Sequence, residues 1–157
     1  MSLPRPDWRN PIHLAAFGFG SGAPRRAPGT WGTLAALVPY FALRELPLSA
    51  YLAVIVVAFL VGIYLCHKTS HDLGVHDHGG IVWDEFVGLW ITLILLPPGW
   101  AWLLAGFVLF RFFDILKPWP IRWADKRVSG GFGIMLDDVL AGLYALALLQ
   151  LAARYLV

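Results

Sequence analysis

Residues 86–110 read FVGLWITLILLPPGWAWLLAGFVLF, twenty-five positions without an ionisable side chain, broken by Pro97-Pro98-Gly99. Two consecutive prolines remove two backbone donors and disfavour helix in the residue before them, and a glycine follows. We therefore read Pro97-Pro98-Gly99 as a turn between two helices rather than a kink in one. The distinction decides the fold. One kinked span would leave the acids that follow it across a membrane from Asp84 and Glu85; a turn returns them to the same side.

Working outward, similar runs recur along the chain. Leu46 to Cys66 carries no charge over 21 positions, and Val139 to Ala153 none over 15. Ala27 to Leu43 is weaker, with Pro28, Gly29, Gly32 and Pro39 inside it. A bilayer core of about 30 Å needs about 20 apolar helical residues. The runs are rich in Leu and Ala and lack period-2 alternation, which favours helices over a barrel. The expected fold is all-α: a compact polytopic membrane helix bundle of about five apolar helices, near 31–43, 49–66, 82–96, 100–116 and 136–156. Those near 31–43 and 82–96 are short enough to be partial or re-entrant. Composition agrees, because 59% of the 157 residues are hydrophobic and 14% charged, against about 25% charged in soluble domains. A soluble domain this small could not bury that much apolar surface. The length implies a single membrane-embedded domain, 1–157, with residues 1–15 as an N-terminal cytoplasmic arm. That arm does not resemble a cleavable signal peptide.

Charge sets the orientation. With the N-terminus inside, ten of twelve Lys and Arg fall near the inner face, all but Arg44 and Arg154. This is the positive-inside pattern. Nine of ten acids lie on the same side, Glu45 being the exception. Acids carry little topological weight, so their clustering asks for another cause.

Three acidic groups flank the apolar runs: Asp84-Glu85, Asp114 and Asp137-Asp138. We place the first and last in the opening turns of their helices, and Asp114 at the close of 100–116. Acids at helix N-termini complement the dipole and serve as caps, worth about 0.3–1 kcal/mol each. Asp114 fits that role badly, and one cap does not need two acids. Two carboxylates about 4 Å apart repel by about 4 kcal/mol at an effective dielectric near 20, a cost that a divalent cation removes. Clustered carboxylates without cysteine favour a hard cation, Mg²⁺. The expected metal ligands are Asp84, Glu85, Asp114, Asp137 and Asp138, with Asp77 nearby and Asp84 or Asp138 as the catalytic base.

The cations supply the anion half. Phe19 to Thr33 combines Gly and Pro breakers with Arg25, Arg26 and Thr30, and leads into an apolar helix whose N-terminal amides suit a phosphate. Lys117 is a further phosphate-binding candidate. Glycines also serve close helix packing, and Arg pairs also meet lipid headgroups. Together with the acids, however, they are the components of phosphoryl chemistry on a lipid. His71, His76 and His78 raise the alternative of zinc, but their spacing matches no defined motif, and a solvated loop is expected there. Cys66 is the only cysteine and lies in apolar surroundings unsuited to a thiolate nucleophile. Trp31, Trp83, Trp119 and Trp123 fit interfacial anchoring among membrane lipids. A formal charge of +2 gives no sign of a nucleic-acid partner.

Four motifs in order, Phe19–Thr33, Ile81–Gly88, Phe110–Pro120 and Gly130–Gly142, resemble the phosphatidylglycerophosphatase A family. The resemblance covers about Ala16 to Leu149. It implies a bacterial inner-membrane, Mg²⁺-dependent phosphatase, which the topology read above would make multi-pass with its site facing the cytoplasm. Its lipid substrate would be phosphatidylglycerophosphate and its products phosphatidylglycerol and phosphate. A small transporter or channel subunit with interfacial carboxylates is the alternative. It would spread ionisable groups through the bilayer depth, whereas 49–66 carries none between its ends.

Overall fold

The computed structural model describes residues 4–75 and 78–156. Among these residues the chain forms seven helices and no strand: α1 (Pro11–Ala16), α2 (Pro28–Leu43), α3 (Leu48–Leu73), α4 (Trp83–Thr92), α5 (Trp100–Leu116), α6 (Ile121–Arg127) and α7 (Gly130–Leu156). The all-helical class is as expected, and α5 begins and ends where the sequence places it. Its start follows Gly99 at φ 123°, and its end is Lys117 in the left-handed conformation, followed by Pro118. The Pro-Pro-Gly segment does turn the chain back, since α4 and α5 pack against one another and both pack on α7.

Other expectations need correction. The 82–96 helix shrinks to the ten residues of α4, about 15 Å at 1.5 Å per residue and too short to span a bilayer. The early end of α4 is tolerated because carbonyls at and just beyond it find donors. Tyr51 Oη donates to Trp90 O, and Gln150 Nε2 donates to Ile94 O and Leu95 O at 3.1 Å. An apolar environment would otherwise make those orphan groups costly. The 49–66 helix continues to Leu73, so the first part of the expected His-rich loop is helical, stopping at Gly74 in the left-handed conformation. The 136–156 helix starts at Gly130, which moves Asp137 and Asp138 out of the first turn. Two short helices, α1 and α6, add to the expected set, and α1 lies in the 1–15 arm. The 1–15 arm is thus partly folded: His13 is buried, and its Nε2 sits 2.9 Å from Asp72 Oδ2 on α3.

Among the described residues two helices, α3 and α7, are long and apolar enough to cross a membrane; α2, α4 and α5, of 16, 10 and 17 residues, stand at the other expected positions and are shorter. Within the most apolar part of α3 only 28% of the residues are buried. Val56, Val57 and Leu60 lie exposed there, as do Leu104 and Val108 on α5. A patch of this kind is a hydrophobic contact surface rather than a water-facing one. By contrast α4 is buried from Asp84 through Thr92, with α7, α2 and α3 around it.

Candidate active site

The core of the site is set by one repeated spacing. An acid precedes a glycine by four residues in α4 (Asp84, Gly88) and again in α7 (Asp138, Gly142). Residues four apart share a helix face. A Cβ on Gly142 would stand 2.5 Å from the Gly88 carbonyl oxygen, and one on Gly88 would stand 2.8 Å from the Asp138 carbonyl oxygen. Neither site has room for a side chain, so the two backbones touch, as small residues allow in apolar bundles. Thr92 Oγ1, 3.0 Å from Gly88 O and 3.5 Å from Gly142 O, ties the seam.

One turn toward the helix N-termini, this contact brings the carboxylates together. One oxygen each from Asp84, Glu85 and Asp138 lies within 4.8 Å of the others, and all three residues are buried. Asp138 is 2% exposed, and its Oδ2 makes no hydrogen bond among the described residues. Asp114 and Asp137 flank this trio, and each is engaged by a cation. Arg111 Nη1 bridges Asp114 Oδ2 and Glu85 Oε1, the latter at 3.4 Å. Lys117 Nζ lies 3.4 Å from Asp137 Oδ2 and 3.9 Å from Asp114 Oδ1. The left-handed backbone of Lys117 and Pro118 end α5 here, so the Lys117 ammonium reaches both carboxylates. Burial pulls that ammonium toward neutrality, but Asp138, Asp114, Asp137 and Asp125 together outweigh it and hold its pKa above the ordinary lysine value.

The donor set suits a hard divalent cation. It is all carboxylate oxygen, buried and convergent. Five carboxylates against Arg111 and Lys117 leave three formal negative charges if every acid is ionised, a state that a dry site does not hold without a counter-ion.

A family model described as phosphatidylglycerophosphatase A matches residues 14–153. The chain belongs to that family. Relatives named phosphatidylglycerophosphatase A are 53% identical in Escherichia coli K12, over 93% of this chain and 86% of the relative, and 57% identical in Haemophilus influenzae, over 87% and 85%. A Bacteroides thetaiotaomicron relative, 42% identical over 88% of this chain and 91% of its own, has a name that gives phosphatidylinositol-3-phosphatase as a provisional activity. No solved structure matches.

Across this family member the expected site residues divide. The structure brings Asp84, Glu85, Asp114, Asp137, Asp138 and Lys117 together. Thr30 sits half-buried in the first turn of α2, beside Gly29, where a Cβ would stand 2.6 Å from Glu85 Oε1. Arg25 and Arg26 are exposed, and Arg25 lines a separate cavity. Asp77 and His76 lie outside the described residues. His71 is exposed, and His78 is committed to backbone, with its Nε2 2.8 Å from Pro4 O and its Nδ1 accepting the Gly80 N–H at 2.9 Å. Trp31, Trp119 and Trp123 are exposed, as anchors would be, whereas Trp83 donates from Nε1 to Ala58 O at 2.9 Å inside the bundle. Three contributors escaped the sequence reading: Arg111, Gly29 and Asp125, the last a near neighbour of Asp137. Only Arg111 left a signal, its i,i+3 spacing to Asp114.

Proposed function

We propose that this chain removes the terminal phosphate of phosphatidylglycerophosphate, releasing phosphatidylglycerol and inorganic phosphate, with Mg²⁺ held by Asp84, Glu85 and Asp138. One observation carries the reading: three buried carboxylates from α4 and α7 converge within 4.8 Å, next to Arg111 and Lys117. Names of the Escherichia coli and Haemophilus influenzae relatives supply the substrate. We further place the chain as one membrane-embedded, multi-pass domain of the bacterial inner membrane. Its site would face the cytoplasm, supported by the one-sided charge and by the apolar α3 and α7.

When bound, the metal would neutralise phosphate oxygens and lower the pKa of a coordinated water. The chain's own groups do the rest. Asp84, Glu85 and Asp138 fix the depth at which the monoester sits. Lys117 and Arg111 offset phosphate charge in a site largely shut off from water, where such preorganised charge acts most strongly. Asp138, whose Oδ2 is not engaged by another described residue, takes the proton of the attacking water; Asp84 is the second candidate for that role. Asp114 and Asp137 hold Arg111 and Lys117 in place. The water oxygen bonds to the terminal phosphorus as the bond between that phosphorus and the glycerol oxygen breaks, and the glycerol oxygen takes up the proton that the carboxylate received from the water, giving phosphatidylglycerol and inorganic phosphate. The acyl chains stay in the leaflet throughout.

The transporter alternative is not favoured, because the acids gather in one cluster where α4, α5 and α7 meet rather than along a path. Phosphate release from short-chain phosphatidylglycerophosphate in mixed micelles tests the proposal. Release should require Mg²⁺, stop on chelation, and fall at least about 10²-fold in Asp84→Asn and Asp138→Asn. Near-normal turnover in both variants under chelation would overturn the metal assignment, and no release by the wild-type protein would overturn the phosphatase.

A further inference from the structure

A second recess adjoins the acidic group. It is a cavity of about 920 Å³ between residues 4–8, the turn at 17–28 and residues 78–80. One wall is apolar: Trp8 meets Phe17 edge-on at 5.7 Å, and Pro28 adds its ring. Arg5 and Arg25 supply positive charge, and no acid lines the described wall. The recess is prebuilt rather than a gap under a loose end. His78 Nδ1 accepts the Gly80 N–H, which leaves the proton on Nε2 to be donated to Pro4 O. On the other flank, the Asp7 N–H donates to His13 Nδ1 at 3.1 Å.

Its position matters as much as its charge. Pro28 lines the cavity, and the next residue, Gly29, abuts Glu85 and Arg111. Consecutive Cα atoms are about 3.8 Å apart, so the cavity and the carboxylate trio are neighbours across one peptide unit. Phe19 (66% exposed) and Trp31 (52%) stand on the same loop and helix, where aromatic side chains meet the lipid interface.

The substrate assigned above carries two phosphates, a terminal monoester and a diester, joined by a three-carbon glycerol. With the monoester at the acidic group, the diester and its single negative charge must lie a few bonds away. We infer that this cavity is the subsite for the diester phosphate and glycerol of the lipid, with Arg25 and Arg5 as its cations. The inference rests on the phosphatase reading. It gives Arg25 a partner other than the acidic group, and it separates the two-phosphate lipid from phosphatidate, which has no second phosphate to place there.

The test compares kcat/KM for dioctanoyl phosphatidylglycerophosphate and dioctanoyl phosphatidate in mixed micelles, with dioctanoyl phosphatidylglycerol, a diester alone, as inhibitor. Arg25→Gln should cut the preference for the two-phosphate lipid about tenfold, mainly through KM. It should raise the phosphatidylglycerol inhibition constant by a similar factor, the effect of losing one charge-assisted contact. Arg25→Lys should restore most of both, and Arg5→Gln should move both in the direction of Arg25→Gln. Equal losses on the two substrates with an unchanged inhibition constant would overturn the subsite. If the wild-type protein hydrolyses neither lipid, the phosphatase reading has failed. The cavity is then judged by calorimetric binding of phosphatidylglycerol, which Arg25→Gln must weaken about tenfold for the subsite to stand.

Discussion

Replacing Gly142 by alanine should disable the site without touching a charged residue. The added Cβ would stand 2.5 Å from Gly88 O, 3.2 Å from Ile91 Cβ and 3.3 Å from Gly88 C, whereas ordinary contact begins at 3.4 Å. The closest neighbour is backbone and cannot rotate away, so α7 must retreat from α4 by about 0.9 Å at this level, the difference between 3.4 and 2.5 Å. Asp138 lies one turn away on the same face and moves with α7, while Asp84 and Glu85 stay with α4. Overpacking of this kind costs about 1–3 kcal/mol, and a displacement near 1 Å at a reacting centre can cost about 10²-fold in rate. The expected result is a folded protein with a lowered melting temperature in detergent, kcat down about 10- to 100-fold, and a higher Mg²⁺ concentration for half-maximal activity. Leu143→Ala, one residue on and facing outward, is the control and should leave kcat close to wild type. A Gly142→Ala protein with wild-type kcat and Mg²⁺ response would refute the claim that the glycine seam sets carboxylate spacing.

Two further outcomes follow from the cations. Arg111→Met leaves the poorly exposed Glu85 and Asp114 side chains without their shared partner; loss of a buried pair's partner costs about 3–5 kcal/mol, so thermal denaturation should begin well below the wild-type temperature. Arg111→Lys should recover only part of this, because a single ammonium does not match the guanidinium fork. Lys117 has a folded-state pKa above its ordinary value, so its charge is fully present below the unfolded value of about 10.4 and is lost only as pH rises through the higher folded one. The ratio of wild-type to Lys117→Met kcat/KM should therefore stay flat between about pH 6 and 9; a ratio that falls toward one across that range would contradict the raised pKa.

Much of this arrangement was legible in the sequence, and what was not has identifiable physical causes. Pro97-Pro98-Gly99 announced the hairpin because two missing donors and a glycine leave few alternatives, and from that turn the gathering of Asp84, Glu85 and Asp114 followed. The start of α7 was misplaced because Gly130, Gly131 and Gly133 look like breakers. Gly131 and Gly133 are in fact close-approach residues: a Cβ on Gly131 would collide with the Ile63 carbonyl on α3, and one on Gly133 with Val128. The extension of α3 was missed because His67 to Leu73 reads as a polar loop, although a helix leaving an apolar layer can carry polar residues while its backbone stays paired. For Arg25 the structure adds a location that the sequence does not show. Sequence proximity to Gly29 does not reveal that the chain turns through Ala27, at φ 48°, and sends Arg25 to the neighbouring cavity.

The acids and the glycines are best understood as one device. In an apolar bundle, helices gain little from burying one another's hydrocarbon and rely on close backbone contact. Gly88 and Gly142 provide that contact at the centre of α4 and α7. The same closeness, carried one turn toward the helix N-termini, presses Asp84, Glu85 and Asp138 together against their own repulsion. Were all five acids ionised, Arg111 and Lys117 would offset only two of the negative charges there. Packing at the seam therefore opposes electrostatics at its end, and the divalent cation proposed above would reconcile them. On this reasoning, metal binding should tighten the α4–α7 contact as well as assist the chemistry. The wild-type melting temperature should then rise with Mg²⁺, and that rise should be smaller in Gly142→Ala than in Leu143→Ala.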